Sequence, residues 1–160
     1  MGKVIEKFKA KFGDVILSSH EKLGDETIVV SPEKIKAVLT YAKQSEDLKF
    51  DLLLDVCGVD YLGRNPRFEV VYHLYSIPLN HRIRIKVPVS EENCKVPTCI
   101  DLWKSADWFE RETFDMMGIV FEGHPNLKRL LLFEGFEGHP LRKDYPINQR
   151  QKIPEALEKL

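Results

Sequence analysis

The residue types able to do chemistry gather in the last third of the chain. Glu110, Arg111, Glu112 and Asp115 fall within two helical turns, and His124 and His139 follow, each inside a Gly-His-Pro triplet. Carboxylates and imidazoles are what a metal site or a general acid–base pair would use, so a stand-alone metal-dependent enzyme built on Glu112, Asp115, His124 and His139 is one reading. The spacing argues against it. No His-x-x-x-His, His-Glu-x-x-His or Cys-His pairing at ligand spacing occurs, and the proline after each histidine suits a structural bend. Gly-x-Gly-x-x-Gly, Gly-x-x-x-x-Gly-Lys-Ser/Thr and Gly-x-Ser-x-Gly are absent, which leaves dinucleotide, phosphate-loop and nucleophile-elbow chemistry without support.

The composition is that of a globular domain. Apolar residues make up 43% of the 160 and charged residues 31%, and 24 Lys and Arg against 25 Asp and Glu leave a formal charge of −1. Such balance gives no electrostatic reason to expect nucleic acid or an anionic membrane as main partner. No apolar run is long enough to span a bilayer, and the charged start lacks the apolar core of a signal peptide. The chain is therefore expected on the cytoplasmic side, with freedom to sit on a membrane complex. Cys57, Cys94 and Cys99 form no Cys-x-x-Cys pair and are read as free thiols. Cys94 and Cys99 begin like a plant-type ferredoxin run, but the next cysteine that pattern needs is missing.

The elements that position these residues are predicted in order. Val4, Ile5, Phe8 and Phe12 share one side of a short helix that Gly13 can close. Val15–Leu17 and Thr27–Val30 are strand candidates around Leu23-Gly24-Asp25. Ser31 and Pro32 open a helix as N-cap and first residue, and Ile35, Val38, Leu39 and Ala42 form its apolar stripe. Phe50–Val56 suits an interior strand. The next strand puts Phe68, Val70, Tyr72 and Leu74 on one face, and a third puts Ile83, Ile85 and Val87 inward with Arg82, Arg84 and Lys86 outward. Such alternation belongs to an antiparallel sheet with one wet face, and the three cations read as a solvated face that blocks aggregation or, second, as an anion track. The expected class is α+β: a mostly antiparallel sheet with helices on one face, then an extended Gly/Pro-rich C-terminal arm. The core is drawn over residues 1–117 and the arm and tail over 118–160, with no separate domain.

A helical pattern runs from about Pro97, with a break near Ser105. At ~100° per residue, Lys104, Asp107, Arg111 and Asp115 share the polar side, where Arg111 and Asp115 can pair at i, i+4. Glu110 falls on the apolar side, where a carboxylate needs a cation, hydrogen bonds or a proton. The leading expectation is an intramolecular pair with a cation such as Arg142 or Lys143; an arginine of another subunit and a proton-handling role are the alternatives. After Gly118 the arm carries Leu130-Leu-Leu-Phe133, an apolar run without its own core, which needs this domain or another protein to pack against.

The motif Glu110-Arg111-Glu112-x-x-Asp115-x-x-Gly118, then Gly123-His124-Pro125, Arg129, and Gly138-His139-Pro140-Leu-Arg142-Lys143-Asp144-Tyr145-Pro146, closely resembles the signature of one family. That family is the C subunit of the proton-pumping NADH:quinone oxidoreductase, respiratory complex I. Asp55-Val-Cys-Gly-Val-Asp-Tyr61 before the hairpin strands adds to the likeness, whereas Met117 stands where an aromatic is expected and Leu130 replaces a commoner isoleucine. The resemblance implies a peripheral-arm subunit of a membrane-associated translocase that binds no cofactor itself, while NADH, FMN, iron–sulfur clusters and quinone (ubiquinone among them) are handled elsewhere in the complex. Its implied partners are the hydrogenase-large-subunit-like D subunit, the B subunit and other peripheral-arm subunits. The motif residues then serve as scaffold and interface, none of them catalytic, cofactor-binding or metal-binding. A related subunit occurs in group-4 membrane-bound hydrogenases and formate hydrogenlyases, so the same scaffold role there is the alternative.

Overall fold

A computed structural model describes residues 2–154; the end of the expected tail, residues 155–160, lies outside the described residues. Helix α1 (Lys3–Phe12) buries Val4, Ile5 and Phe8 and stops at Gly13, whose positive φ of 50° turns the chain. Strands β1 (Ile16–Lys22) and β2 (Asp25–Val30) pair antiparallel around Leu23 and Gly24. Both turn residues have φ > 0, the backbone a tight hairpin turn requires. Pro32 opens a short 3₁₀ turn, Pro32–Lys34, before α2 (Ile35–Gln44), which buries the expected Ile35, Val38, Leu39 and Ala42. Ser31 does not cap with its side chain, because its hydroxyl donates to the Glu33 carboxylate instead.

Then come β3 (Leu52–Asp60), β4 (Phe68–Ser76), β5 (His81–Val89), β6 (Lys95–Pro97), α3 (Ala106–Met117) and β7 (Val120–Glu122). The main sheet has the order β1-β2-β5-β4-β3, antiparallel except where β2 runs parallel to β5. β6 and β7 form a separate parallel pair. Phe68, Val70, Tyr72 and Leu74, with Ile83, Ile85 and Val87, are buried on the face shared with the apolar sides of α1 and α2 and with Ala106 of α3. The α+β class with helices on one face is thus the one observed.

Two expectations are corrected. β3 is an edge strand, not an interior one, and Leu52 and Leu54 are 37% and 48% exposed. An open edge invites other strands, and here α3 and the segment before it cover this one. Thr113 donates to the Val56 carbonyl at 2.9 Å, Ser105 to Leu53 at 3.4 Å and the Trp103 indole to Phe50 at 3.1 Å. Nor does the helix begin near Pro97, which lies in β6; Thr98–Ser105 are turns and irregular backbone. Pairing of β6 with β7 holds Lys95–Pro97 extended, and tertiary pairing overrides a helical apolar period.

α3 approaches β3 closely because Gly58 has no side chain. A Cβ there would stand 3.0 Å from Ile119 Cδ1 and from Met117 Cγ, and 3.2 Å from Thr113 Cγ2. Gly58→Val is therefore expected to cost about 1–3 kcal/mol, the usual penalty of overpacking, read as a lower urea midpoint with the slope preserved. An unchanged midpoint would mean that α3 is not held against the sheet at this point.

Candidate interface at the end of helix α3

A helix ends with four carbonyls that lack intrahelical partners, and in α3 each of them has one. The Gly118 N–H donates to Phe114 at 2.8 Å, His139 Nδ1 lies 3.0 Å from the Asp115 carbonyl, the Leu141 N–H donates to Met116 at 3.1 Å and Arg142 Nε donates to Met117 at 2.7 Å. The second Gly-His-Pro segment thus caps the helix, and Arg142 adds positive charge where the helix dipole is negative. Gly118, at φ 73°, is tightly enclosed: a Cβ would stand 2.5 Å from the His139 ring and 2.6 Å from an Arg142 nitrogen. Burial and the nearby Arg142 and Arg129 lower the His139 pKa, although its bond to the Asp115 carbonyl opposes them. A neutral ring can still make that bond.

Asp115 holds the other side of the arm. Its Oδ2 accepts from the backbone N–H of Leu130, Leu131 and Leu132 at 2.9, 2.8 and 3.0 Å, and its Oδ1 takes Arg129 at 2.7 Å. Arg129 goes on to donate to the carbonyls of Phe136 at 2.8 Å and Gly138 at 3.0 Å, so one guanidinium closes the loop between the two halves of the arm. Burial by itself would raise the Asp115 pKa, but the Leu132 amide, Arg129 and the Leu131 and Leu130 amides together hold it below the usual carboxylate range. The expected Arg111–Asp115 surface pair does not form. The arm covers Asp115 completely, and Arg111 donates instead to the carbonyls of Lys128 at 3.3 Å and Arg129 at 3.4 Å.

Glu110 is also fully buried, as its place on the apolar side requires. It finds hydrogen bonds rather than the expected cation: Thr98 Oγ1 at 2.5 Å and the Cys99 N–H at 2.7 Å. Burial pushes its pKa up, and the Cys99 and Thr98 donors recover only part of that shift. Arg142 is engaged at Met117 and over the Phe68 ring, and Lys143 gives its backbone N–H to Asp60. His124 lies with its side chain buried and its Nε2 3.3 Å from Asp107 Oδ1, though neither atom completes a hydrogen bond. Its Nδ1 accepts from the Asn126 N–H at 3.0 Å, which sets the turn through the exposed Pro125.

A second anchor had no role assigned from sequence. Asp60 and Arg67, both buried, form a two-pronged pair at 3.0 and 2.9 Å. Asp60 also accepts the Lys143 N–H at 2.8 Å, and Arg67 reaches Asp144 at 2.8 Å and Glu91 at 2.5 Å. Bonding to Arg67, offset in part by burial, holds the Asp60 pKa below its ordinary value. Asp60 lies inside the resembling stretch Asp55–Tyr61, but Arg67 follows a loop and nothing in its neighbours marks it as buried. Beyond this anchor, Tyr145 stacks on Phe136 and closes over Gly138, Pro140 is half-buried, and Pro146 is exposed. Gly123, at φ 83°, turns the chain after β7.

Glu112, Asp115, His124 and His139 are not gathered into one site. Glu112 is exposed, Asp115 is spent on the arm, and the two histidines serve different turns. Among the described residues no group of three His, Cys, Asp or Glu side chains could hold a metal ion. What the arrangement does is fix backbone: Leu130–Leu132, Leu141 and Lys143 are tied down by main-chain atoms, while Leu131 and Leu141 remain 63% and 57% exposed.

The family model for the respiratory-chain NADH dehydrogenase 30 kDa subunit matches residues 28–151. The NADH-quinone oxidoreductase C subunit of Roseiflexus sp. (strain RS-1) is 50% identical over 148 residues, which cover 92% of this chain and 85% of the relative. The protein of the same name from Geotalea uraniireducens (strain Rf4) is 45% identical over 152 residues, 95% of this chain and 92% of the relative. Among solved structures, the trypsin-resistant fragment (1–134) of Nqo5 superposes with a TM-score of 0.66 at 37% identity, over 78% of this chain and 97% of that one. A chain of the membrane-bound sulfane sulfur reductase, an archaeal respiratory membrane complex, gives 0.78 at 23% identity over 91% of this chain and 85% of its own, a likeness of fold alone.

The two buried carboxylates of α3 predict opposite pH behaviour. With its folded pKa depressed, Asp115 contributes stability that is present above its unfolded pKa and lost as pH falls through the folded one. Asp115→Asn should cost about 3 kcal/mol at neutral pH, because Arg129 loses its charged partner, and should flatten the acid limb of the stability curve. Hydrogen exchange at Leu130–Leu132 should speed up in the same variant; unchanged exchange there would refute the anchoring role. Glu110, with its folded pKa raised, loses stability as pH rises from its unfolded pKa through the folded one. Glu110→Gln should remove that loss, and a wild type gaining on the variant with rising pH would contradict the assignment.

Proposed function

The chain belongs to the 30 kDa subunit family of respiratory-chain NADH dehydrogenase, and on that footing we propose that it is a scaffold subunit whose arm docks against the quinone-reducing D subunit, beside the B subunit. It takes part in NADH:quinone oxidoreduction as a member of the complex and supplies no bond-making group of its own. NADH, FMN, the iron–sulfur clusters and quinone are bound by other subunits. The chain sits peripherally on the cytoplasmic side of the membrane; none of the described helices is long and apolar enough to cross it.

One observation carries this reading: an arm whose backbone is pinned by Asp115, Asp60 and the end of α3 while Leu131 and Leu141 face outward. Leu131, Leu141, Ile147 and Ile153 are 63%, 57%, 104% and 53% exposed. A fixed backbone with unburied apolar side chains loses little entropy on binding, which favours a partner surface over further collapse onto the domain. The signature residues Glu110, Arg111, Glu112, Asp115 and Gly118 set the angle at which the arm leaves. Those from Gly123 to Pro146 form the part that meets the partner.

Capture of the tagged chain from native membranes is expected to recover the D subunit in stoichiometric amount. The chain alone should be colourless, metal-free and unable to oxidise NADH; stoichiometric iron or flavin, or turnover by the lone chain, would overturn the proposal. Leu131→Asp should lower recovery of the complex on the order of tenfold, as for a central apolar anchor. Because the side chain is already exposed, the melting temperature of the isolated domain should hold. Equal loss of both would place Leu131 in the core instead.

A further inference from the structure

The outward face of the main sheet, opposite the helices, carries a charge arrangement that the arm does not use. Arg82 and Arg84 are two residues apart on β5 and so share a face. Asp25, at the start of β2, stands 3.9 Å from each guanidinium, beyond hydrogen-bond reach. Among the described residues Arg84 donates once, to Thr27 Oγ1 at 3.3 Å. Arg82, with its side chain 68% exposed, has no acceptor within hydrogen-bond distance among the described residues. Lys86, the third cation of the row, differs, since Glu69 meets it at 2.7 Å. Two neighbouring like charges therefore have Asp25 as their shared ion-pair partner, at 3.9 Å from each, with Asp55 further along the same face beside His73.

These groups border a cavity of about 90 Å³ lined by Asp25, Glu26, Leu54, His73, Arg82 and Arg84 among others; the Glu26 carboxylate is taken by the Val4 and Ile5 N–H groups at the start of α1. His73 is half-buried, and that burial, with Arg84 next, lowers its pKa. Beside the cavity on the edge strand, Leu52 and Leu54 are 37% and 48% exposed. The volume suits a carboxylate side chain and is too small for a nucleotide. Guanidinium groups favour carboxylates through paired N–H donors, and the leucines give the chain bearing such a group an apolar seat.

We propose that this cavity is a docking point for a carboxylate carried by a neighbouring protein chain, received between Arg82 and Arg84 with Leu52 and Leu54 against its backbone. The proposal rests on membership of a multisubunit assembly and adds a second contact, on the sheet face opposite α3. The carboxylate accepts the guanidinium N–H groups that Asp25 does not reach and relieves repulsion between the two arginines.

The test uses the intact complex carrying Arg82→Lys, treated with a carbodiimide that joins an amine to a carboxylate without a spacer. An amide link from position 82 to an Asp or Glu of another subunit, found by peptide mass spectrometry and absent from Arg82→Gln, is the expected result. An intact complex that links only to its own Asp25, or not at all, overturns the proposal. Arg82→Glu should lower recovery of the complex on the order of tenfold through like-charge contact, with the unfolding midpoint of the isolated chain unchanged; undiminished recovery also overturns it. Titrating the isolated chain with acetate or inorganic phosphate at low ionic strength, followed by the His73 ring signals, identifies a free-anion site. Saturation there without a cross-link in the complex refutes docking by protein. A wild-type chain that recovers no partner counts against the scaffold role itself, a separate failure.

Discussion

A carboxylate sealed from water must be given the hydrogen bonds that water supplied. At Asp115 these come from three consecutive backbone amides and one arginine, and they lie in the arm. The exchange works in both directions. Leu130–Leu132 lie in irregular chain, where amides have no ladder or helix to bond, and Asp115 provides the acceptor they lack. Remove that carboxylate and both the last turn of α3 and the middle of the arm lose partners together.

The same helix shows how environment divides two like groups. Glu110 and Asp115 are each fully buried. Glu110 has two hydrogen-bonding neighbours and no cation, and burial prevails, raising its pKa. Asp115 has four donors, one of them charged, and they prevail over burial. The number and charge of donors decide the sign. Glu110 ties α3 inward to the Thr98–Cys99 turn, while Asp115 ties it outward to the arm, so the helix is fixed from both sides.

Asp60 and Arg67 extend this fixing to the sheet. They join the end of β3 to the start of β4 and, through Lys143 and Asp144, reach the far part of the arm. A buried ion pair adds little net stability in general, but it has strict geometry. Here it places the second Gly-His-Pro stretch near the end of α3, where His139, Leu141 and Arg142 meet the helix carbonyls.

Much of this was legible in the order of residues. Alternation at Phe68–Leu74 and Ile83–Val87, the stripe Ile35–Ala42 and the glycine after Met117 are local signals, because side-chain period and backbone freedom follow from neighbours in sequence. They were enough to determine β4, β5, α2, the stop of α3 and the α+β class, and the long motif was enough for the family; the short β6–β7 pair carried no such signal. What the tertiary structure decided were matters between distant positions. A helical wheel puts Asp115 on the polar side, yet the arm covers that side. It puts Glu110 among apolar residues, but its acceptors are met by a turn at Thr98 and Cys99, which no period announces. The edge position of β3 comes from strand order, and the buried Asp60, paired with Arg67 across a loop, takes up Lys143 from far along the chain. Periodicity reports which face a residue occupies on its own element; what that face meets depends on packing between elements, and here that packing made one carboxylate an anchor and left the other with a raised pKa.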